Sequence, residues 1–412
     1  MKLNIWVMPN AGFSTRKILQ TEIINFQKIH PEYQINLSIN PWSKAWDAMM
    51  GFIKGRTVSP PPDIIQVGST WSSTLTYLGV LRNITDSFTV QSRKAFIRHA
   101  LMSGYYPGTD QIYSIPWFVD LRVLYYRKDL LEKINCLPDD LDTWEGFKAV
   151  CTEFKRLFQK DETCYPLRLS GQRAGILMHD IAPWIWGAGG DFLASDGKKS
   201  VFNQTDALYG IEWYFDLIKS GIIPLVNKDG ILPPGSFFTG EYALQFSGMW
   251  PLKILTCSND PEYRALVSKT YGVTLTPQGK AGRWGFCGGS NLGVTTFTKY
   301  PAEAIEFVRY LVSSESQGRH GQSIGMFPSL KSAFDEMAAL KPEIGKVFRE
   351  ALNHGRLMPQ VLTLGTLEQI LGDTTKQILQ LILAEKYSKS TLHAEIQRAA
   401  READYILSLY EA

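Results

Sequence analysis

The sequence predicts an α/β protein of more than one domain, carrying a doubly wound, largely parallel sheet. Three observations carry that expectation. The chain has 412 residues, more than one hydrophobic core usually serves. Its N-terminal region reads strand–helix–strand–helix–strand, the order that builds a parallel sheet covered on both faces. Its composition, 44% hydrophobic and 20% charged, is that of an ordinary globular protein.

Residues 3–8 read as a strand that ends at Pro9-Asn10-Ala11-Gly12. A helix is expected from about Ser14, a candidate N-cap, with Leu19, Ile23 and Phe26 on one face. Pro31 stops it. Tyr33, Ile35, Leu37 and Ile39 alternate with polar residues, the period of a strand. A second helix is expected from about Ser43 to Lys54. Asp63-Ile64-Ile65-Gln66-Val67 then reads as a short buried strand, followed by Gly68-Ser69-Thr70-Trp71 and another helix. In a doubly wound sheet ligands sit at the carboxyl ends of strands, near helix N-termini. That rule singles out Pro9-Asn10 and Ser69-Thr70-Trp71, with Trp42 and Trp46 nearby. Helix capping is the commoner use of Ser69 and Thr70, and packing is the commoner use of Trp46.

The stretch Tyr113–Asp129, YSIPWFVDLRVLYYRKD, reads as two strands with a polar interruption. Pro116 has no N–H for a ladder, which places a break or an end nearby. Asp120 and Arg122 stand two residues apart, hence on one strand face. Beside Trp117 and Phe118 they could grip a polar ligand, or form an ion pair at a strand end. Farther on, Asp142-Thr143-Trp144-Glu145 opens a helix to about Phe158. Met178-His179-Asp180 precedes Pro183-Trp184-Ile185-Trp186, where one indole packs and the other, Trp184, is free to stack. Leu208, Ile211, Phe215 and Ile218 mark a helix ending at Gly221. Phe246–Pro251 reads as a strand and turn. Thr276–Gly285 reads as a segment crossing between domains. Gly288-Gly289-Ser290-Asn291 opens another strand, and Pro301 is placed as the first residue of a helix. Met326-Phe327-Pro328 makes a further break. The rest is mostly helix, broken at Met358-Pro359, with Arg356 just before.

A net charge of +3 gives no electrostatic case for nucleic acid. The five cysteines form no CxxC pair, which argues against zinc. Buried thiols are expected, with a Cys151–Cys164 disulfide as the one candidate bridge. No apolar run reaches the ~18 residues of a membrane span. The opening residues are too short for a signal peptide's apolar core, leaving a cytoplasmic protein or a processed chain. Phosphate-loop, dinucleotide, nucleophile-elbow and zincin motifs are absent from the sequence. One enzymatic reading stands: Asp120 and Asp180 as the paired carboxylates of a glycoside hydrolase. Two carboxylates among 11 Trp suit non-catalytic sugar binding equally.

Several segments, taken in order, carry a resemblance. They are Leu3-Asn4-Ile5-Trp6-Val7, Pro62-Asp63-Ile64-Ile65, Gly79–Thr85 (GVLRNIT), Ile115-Pro116-Trp117, Tyr126–Leu130 (YRKDL), Thr143-Trp144, Gly248-Met249-Trp250-Pro251, Gly288–Asn291 and Met326–Ser332. Together they resemble the extracellular solute-binding proteins of the maltose-binding type, sugar receptors of ABC importers. The resemblance implies the two-lobe periplasmic-binding-protein fold, each lobe a mostly parallel sheet flanked by helices, with the ligand in the interlobe cleft. It implies one lobe of residues 1–115 plus 284–328 and another of 116–283 plus 329–412, closing by a hinge motion. It implies no catalysis, no cofactor and no metal.

Carried over residue by residue, the resemblance makes Ser69, Thr70 and Trp71 a loop holding sugar hydroxyls and a stacking ring. Asp120 becomes a site carboxylate, His179 and Asp180 polar contacts from the second lobe, and Trp250 a platform. Gly288, Gly289 and Ser290 bring backbone close to the ligand, glycine permitting approach without a Cβ. Asn10, Trp42, Arg122, Trp184 and Arg356 complete the candidate ligand set. The expected function is a monomeric, periplasmic or membrane-tethered receptor that delivers a di- or oligosaccharide to membrane permeases, with no nucleic-acid partner. The alternatives are the hydrolase above and a receptor for a non-sugar such as a polyamine or phosphate ester.

Overall fold

A computed structural model describes residues 1–10, 15–54, 61–159, 164–168, 174–225, 236–256, 261–339 and 341–409. The expected N-cap Ser14 and the fifth cysteine, Cys257, lie outside the described residues. The chain divides into two compact units. Unit 1 comprises Met1–Asp120, Cys287–Gly345 and Gln360–Gly365, and unit 2 comprises Leu121–Phe286, Lys346–Pro359 and Thr366–Ala412.

Unit 1 is built on strands β1 (Lys2–Val7), β2 (Gln34–Ile39), β3 (Ile64–Gly68) and β4 (Ser114–Leu121). Later in the chain come β9 (Gly285–Val294) and β10 (Phe327–Pro328). The order is β10-β4-β9-β3-β1-β2. β1 runs parallel to β2 and β3, whereas β9 runs antiparallel to β3. Side chains alternate across β1, and both faces are apolar. Leu3, Ile5 and Val7 join a core with Leu19, Ile23 and Phe26 of the helix Thr15–Ile29 and with Phe307, Val308 and Leu311. Trp6 and Met8 join a second core with Ala45, Met49, Ile65, Val67 and Leu75. A strand buried on both sides needs such continuous apolarity.

Unit 2 carries β5 (Val123–Arg127), β6 (Tyr165–Arg168), β7 (Tyr242–Ser247) and β8 (Tyr271–Thr274), in the order β6-β7-β5-β8. In this sheet β6 and β7 pair in parallel, and β5 is antiparallel to both β7 and β8. The pairing is therefore mixed, more so than the expected mostly parallel sheet. β5 and β9 enter from the neighbouring unit and not through a βαβ crossover, so the rule for crossover returns does not bind them. A last strand, β11 (Gly355–Arg356), pairs in parallel with Gly285 and Phe286 of β9.

Several expectations change. Residues 329–345 belong to unit 1, because the helix Lys331–Ala339 buries Ala333, Phe334, Met337 and Ala338 there. Phe334 lies against Phe327 of β10, with ring centroids 4.3 Å apart. β4 runs straight through Pro116. The two-residue β10 pairs only with Phe118 and Val119, and the Pro116 carbonyl is taken by Ser329 Oγ at 2.6 Å. Trp117 and Phe118 are core residues of unit 1, so they do not flank a ligand. Met178-His179-Asp180 lies inside a helix, Ala174–Gly187, that contains Pro183. Trp250 opens the helix Trp250–Thr256 where a turn was expected. Cys151 is a free thiol and forms no bridge to Cys164, and Cys136 and Cys287 are free as well. Cys151 is buried on the helix Trp144–Leu157, and burial raises its thiol pKa.

Candidate functional site

In unit 1 the parallel β1 and β3 place their carboxyl ends on one side of the sheet. Pro9-Asn10 follows β1, and Ser69-Thr70-Trp71 follows β3. The antiparallel β9 sets Ser290 opposite Gly68, at the same end. Ser69 N–H donates to the Gly289 carbonyl at 3.0 Å. Asn10, Ser69, Thr70 and Ser290 are all buried. The helix Ser72–Tyr77 starts at Trp71 with no side-chain cap, so neither Ser69 nor Thr70 performs the capping role open to it.

Three indoles gather at this end. Trp42 opens the helix Trp42–Ile53, and its Nε1–H donates to the Pro9 carbonyl at 2.8 Å. The Trp71 ring lies 5.7 Å from Trp42 at 62° and 5.5 Å from Trp46 at 53°. Trp42 and Trp71 are half-buried and keep accessible ring surface, the kind on which sugar C–H faces stack. Trp46 is seated against Gly365, where a Cβ would lie 2.3 Å from its ring. Packing is therefore its role.

Gly289 has φ +145°, and a Cβ there would meet the Phe118 carbonyl oxygen at 2.1 Å. Its glycine character is required by the approach of β4 to β9. Asp120, half-buried near the end of β4, sits close enough that its charge adds to burial in pushing the Cys287 thiol up to about 12.

Unit 2 has an open depression of about 380 Å³ lined by Arg122, His179, Asp180, Trp184, Trp144, Pro183, Phe246, Thr276 and Pro277. It brings together four of the sequence-predicted residues: Arg122, His179, Asp180 and Trp184. Arg122 is the single residue between β4 and β5, and its N–H donates to the Phe286 carbonyl at 3.0 Å. The His179 ring stacks on Phe286 at 3.8 Å and 18°. Pro183 has no N–H to return to the His179 carbonyl four residues back. Trp184 is 3% exposed, set 5.1 Å from Trp144 and 6.1 Å from Phe246. Behind Asp180, burial pushes the Tyr214 hydroxyl up and the Arg168 guanidinium down; Asp180 adds to the first shift and opposes the second. A wall of aromatic rings carrying one carboxylate, one guanidinium and one imidazole suits a ligand with apolar faces and hydroxyl edges.

Trp250 and Arg356 are not among the lining residues. Arg356 pairs with Asp191 at 2.5 Å and lies 5.1 Å from Trp186 and 5.4 Å from Trp284. Sequence reasoning missed Trp144, Phe246, Thr276 and Pro277, which meet only through long-range packing. It also missed Gln66, whose signal was a lone amide in an otherwise apolar buried strand. Among the described residues no group of three or more His, Cys, Asp or Glu is arranged to hold a metal, and no helix is long and apolar enough to cross a membrane.

Residues 23–344 match the family of bacterial extracellular solute-binding proteins. A Deinococcus radiodurans protein named "Probable ABC transporter-binding protein" is 24% identical over 282 residues, 67% of this chain. The match spans 65% of that protein, just under two thirds of its length. The diacetylchitobiose-binding protein DasA of Streptomyces coelicolor is 22% identical, over 79% of this chain and 73% of its own. Among solved structures, the GacH receptor of Streptomyces glaucescens, determined unliganded and with acarbose, has a TM-score of 0.82 at 20% identity over 98% of both chains. The fold is thus that of the two-lobe periplasmic-binding receptors, and the chain belongs to the bacterial extracellular solute-binding protein family.

Proposed function

We propose that this member of the extracellular solute-binding family is a receptor for a di- or oligosaccharide, delivering it to the membrane subunits of an ABC importer and not transforming it. The observation that carries the reading is the pairing of indoles with polar side chains in each unit, half-buried in unit 1 and buried in unit 2. Unit 1 offers Trp42 and Trp71 beside Asn10 and Ser290, and unit 2 offers Trp144 and Trp184 beside Arg122, His179 and Asp180. Sugars present apolar C–H faces and hydroxyl edges, so each surface answers both halves of the ligand. The names of the relatives support a sugar: one binds diacetylchitobiose, and one was solved with acarbose. The protein works outside the cytoplasm as a monomer, closing by hinge motion on its ligand. Asp120, Trp71, Asp180 and Trp184 are the contacts expected to matter most.

The test is a thermal-shift and tryptophan-fluorescence screen with maltose, maltotriose, acarbose and diacetylchitobiose. A ligand at about a hundred times its Kd stabilises the bound form by about 2.7 kcal/mol, a clear rise in melting temperature. No shift with any member overturns the sugar reading. Release of shortened sugar during incubation overturns the non-catalytic part of it.

A further inference from the structure

We infer that Gln66 is a positioning residue that sets the hydrogen-bonding polarity of the unit 1 surface, turning Asn10 so that its side chain offers donors to a ligand's acceptor oxygens. This deepens the sugar-receptor reading and rests on it.

Met8 supplies an obligatory donor. A backbone N–H can only donate, and Met8 N–H, just past the end of β1, has Gln66 Oε1 as its acceptor at 3.0 Å. That bond fixes which end of the Gln66 amide is oxygen, an assignment that the similar shape of the amide's two ends would otherwise leave to its surroundings. Gln66 Nε2 then points the other way and donates to Ser290 Oγ at 2.9 Å and toward Asn10 Oδ1 at 3.4 Å. The orientation passes on: with Oδ1 of Asn10 facing Gln66, its Nδ2 faces away. Nδ2 is buried and has no hydrogen-bond partner among the described residues, while Asn10 as a whole is 3% exposed. Ser290 Oγ, filled as an acceptor by Gln66, likewise has its own proton to give elsewhere.

Gln66 is fully buried between Ile65 and Val67 on a central strand, a place where an amide is costly unless all its groups are used. Both ends are used here. One end closes β1, and the other hands its donor sense to two residues at the ligand-binding ends of the strands. The class of ligand group this surface takes is an acceptor: a hydroxyl or ether oxygen, an acetamido carbonyl or a carboxylate. An ammonium, which only donates, is refused.

The experiment uses the full chain and has arms that fail separately. In the ligand-free protein, the Asn10 side-chain amide signal is assigned by its loss in Asn10→Asp and followed in ¹⁵N-labelled Gln66→Met. We expect it to move and to exchange faster with water. An unmoved signal overturns the inference whatever the ligand proves to be. In the unsubstituted protein, the oligosaccharide that scores in the screen is expected to shift the Asn10 signal; if it does not, Asn10 donates nothing to the ligand and the inference falls, even if Gln66→Met fails to fold. For affinity, Gln66→Met is expected to weaken that sugar about tenfold and to have no further effect once Asn10 is Ala. A loss of melting temperature with unchanged affinity would leave Gln66 a strand anchor only. Binding of spermidine in place of every sugar would overturn both this inference and the sugar reading. Binding of an acidic ligand such as glucuronate alone, with the Asn10 signal shifted, would overturn the neutral-sugar reading and uphold the donor surface.

Discussion

The two units hold their candidate contacts by different means. In unit 1 the backbone does it. Asn10, Ser69 and Trp71 follow the ends of β1 and β3, and Ser290 of β9 pairs with Gly68, all fixed by strand register, by Gly289 against the Phe118 carbonyl and by the Gln66 amide. In unit 2 side-chain packing does it. His179, Asp180 and Trp184 ride on a proline-containing helix, steadied by Trp144, Phe147, Phe246 and Phe286. A surface set by register tolerates changes in its exposed rings. A surface set by packing loses its shape when one buried ring is removed.

The largest effect should therefore come from unit 2. Trp184→Ala removes a buried indole and is expected to cost about 3–5 kcal/mol, read by urea denaturation. A cost below about 1 kcal/mol would mean that the aromatic cluster does not hold the surface. Next is Gly289→Ala in unit 1, which adds a Cβ where the Phe118 carbonyl oxygen already stands. Overpacking of that kind costs about 1–3 kcal/mol, and a neutral outcome would show that β9 is not pressed against β4.

A third prediction concerns pH and applies to unit 1. His320 is buried and stacked on Trp117 at 4.3 Å, with neither ring nitrogen hydrogen-bonded among the described residues. Burial lowers its pKa from 6.5 to about 4, and the Glu22 charge opposes that shift only in part. Glu22 is itself held by Arg319, with Nη2 to Oε2 at 2.9 Å. The neutral imidazole is favoured by folding, so its stability is complete above pH 6.5 and is lost as pH falls toward 4. The span corresponds to roughly 3 kcal/mol. Glu22, whose pKa is lowered despite burial by its bonds to Arg319 and Ser316, adds a further loss below its ordinary value of 4.5. Denaturation midpoints measured between pH 7 and 4 should fall, and His320→Leu should flatten the part of that fall above pH 4.5. An unchanged slope in His320→Leu would assign the acid sensitivity elsewhere. The smallest stability effect is expected for Trp71→Ala. Its half-exposed ring should cost about 1 kcal/mol, yet sugar affinity should fall about tenfold. A large stability loss with unchanged affinity would make Trp71 a packing residue like Trp46.

Where local pattern decides structure, the sequence was readable. Ile35, Leu37 and Ile39 alternate and form β2, and Pro301 opens the helix Pro301–Leu311. β3 ends at Gly68, where a strand end was expected. Long-range contacts decided the rest. Pro116 stays inside β4 because β10 is too short to require an N–H donor at that position, a fact written more than two hundred residues away. Trp117 and Trp71 look alike in the sequence, yet one is 1% exposed against His320 and the other keeps open surface. No local pattern marked the helix Ala174–Gly187, which contains Pro183 and lies so close to the helix Thr205–Lys219 that a Cβ on Gly210 would stand 2.2 Å from the Trp184 carbonyl oxygen. Gln66 was visible as an odd residue, but its meaning depended on Met8, Asn10 and Ser290 converging on it.

The most direct test is calorimetric titration of the protein and of Asp120→Ala with maltose, maltotriose, acarbose and diacetylchitobiose. Saturable binding of at least one of these without turnover is expected, weakened about tenfold or more in Asp120→Ala. Absence of binding to every member, or an affinity that Asp120→Ala leaves unchanged, would contradict that expectation.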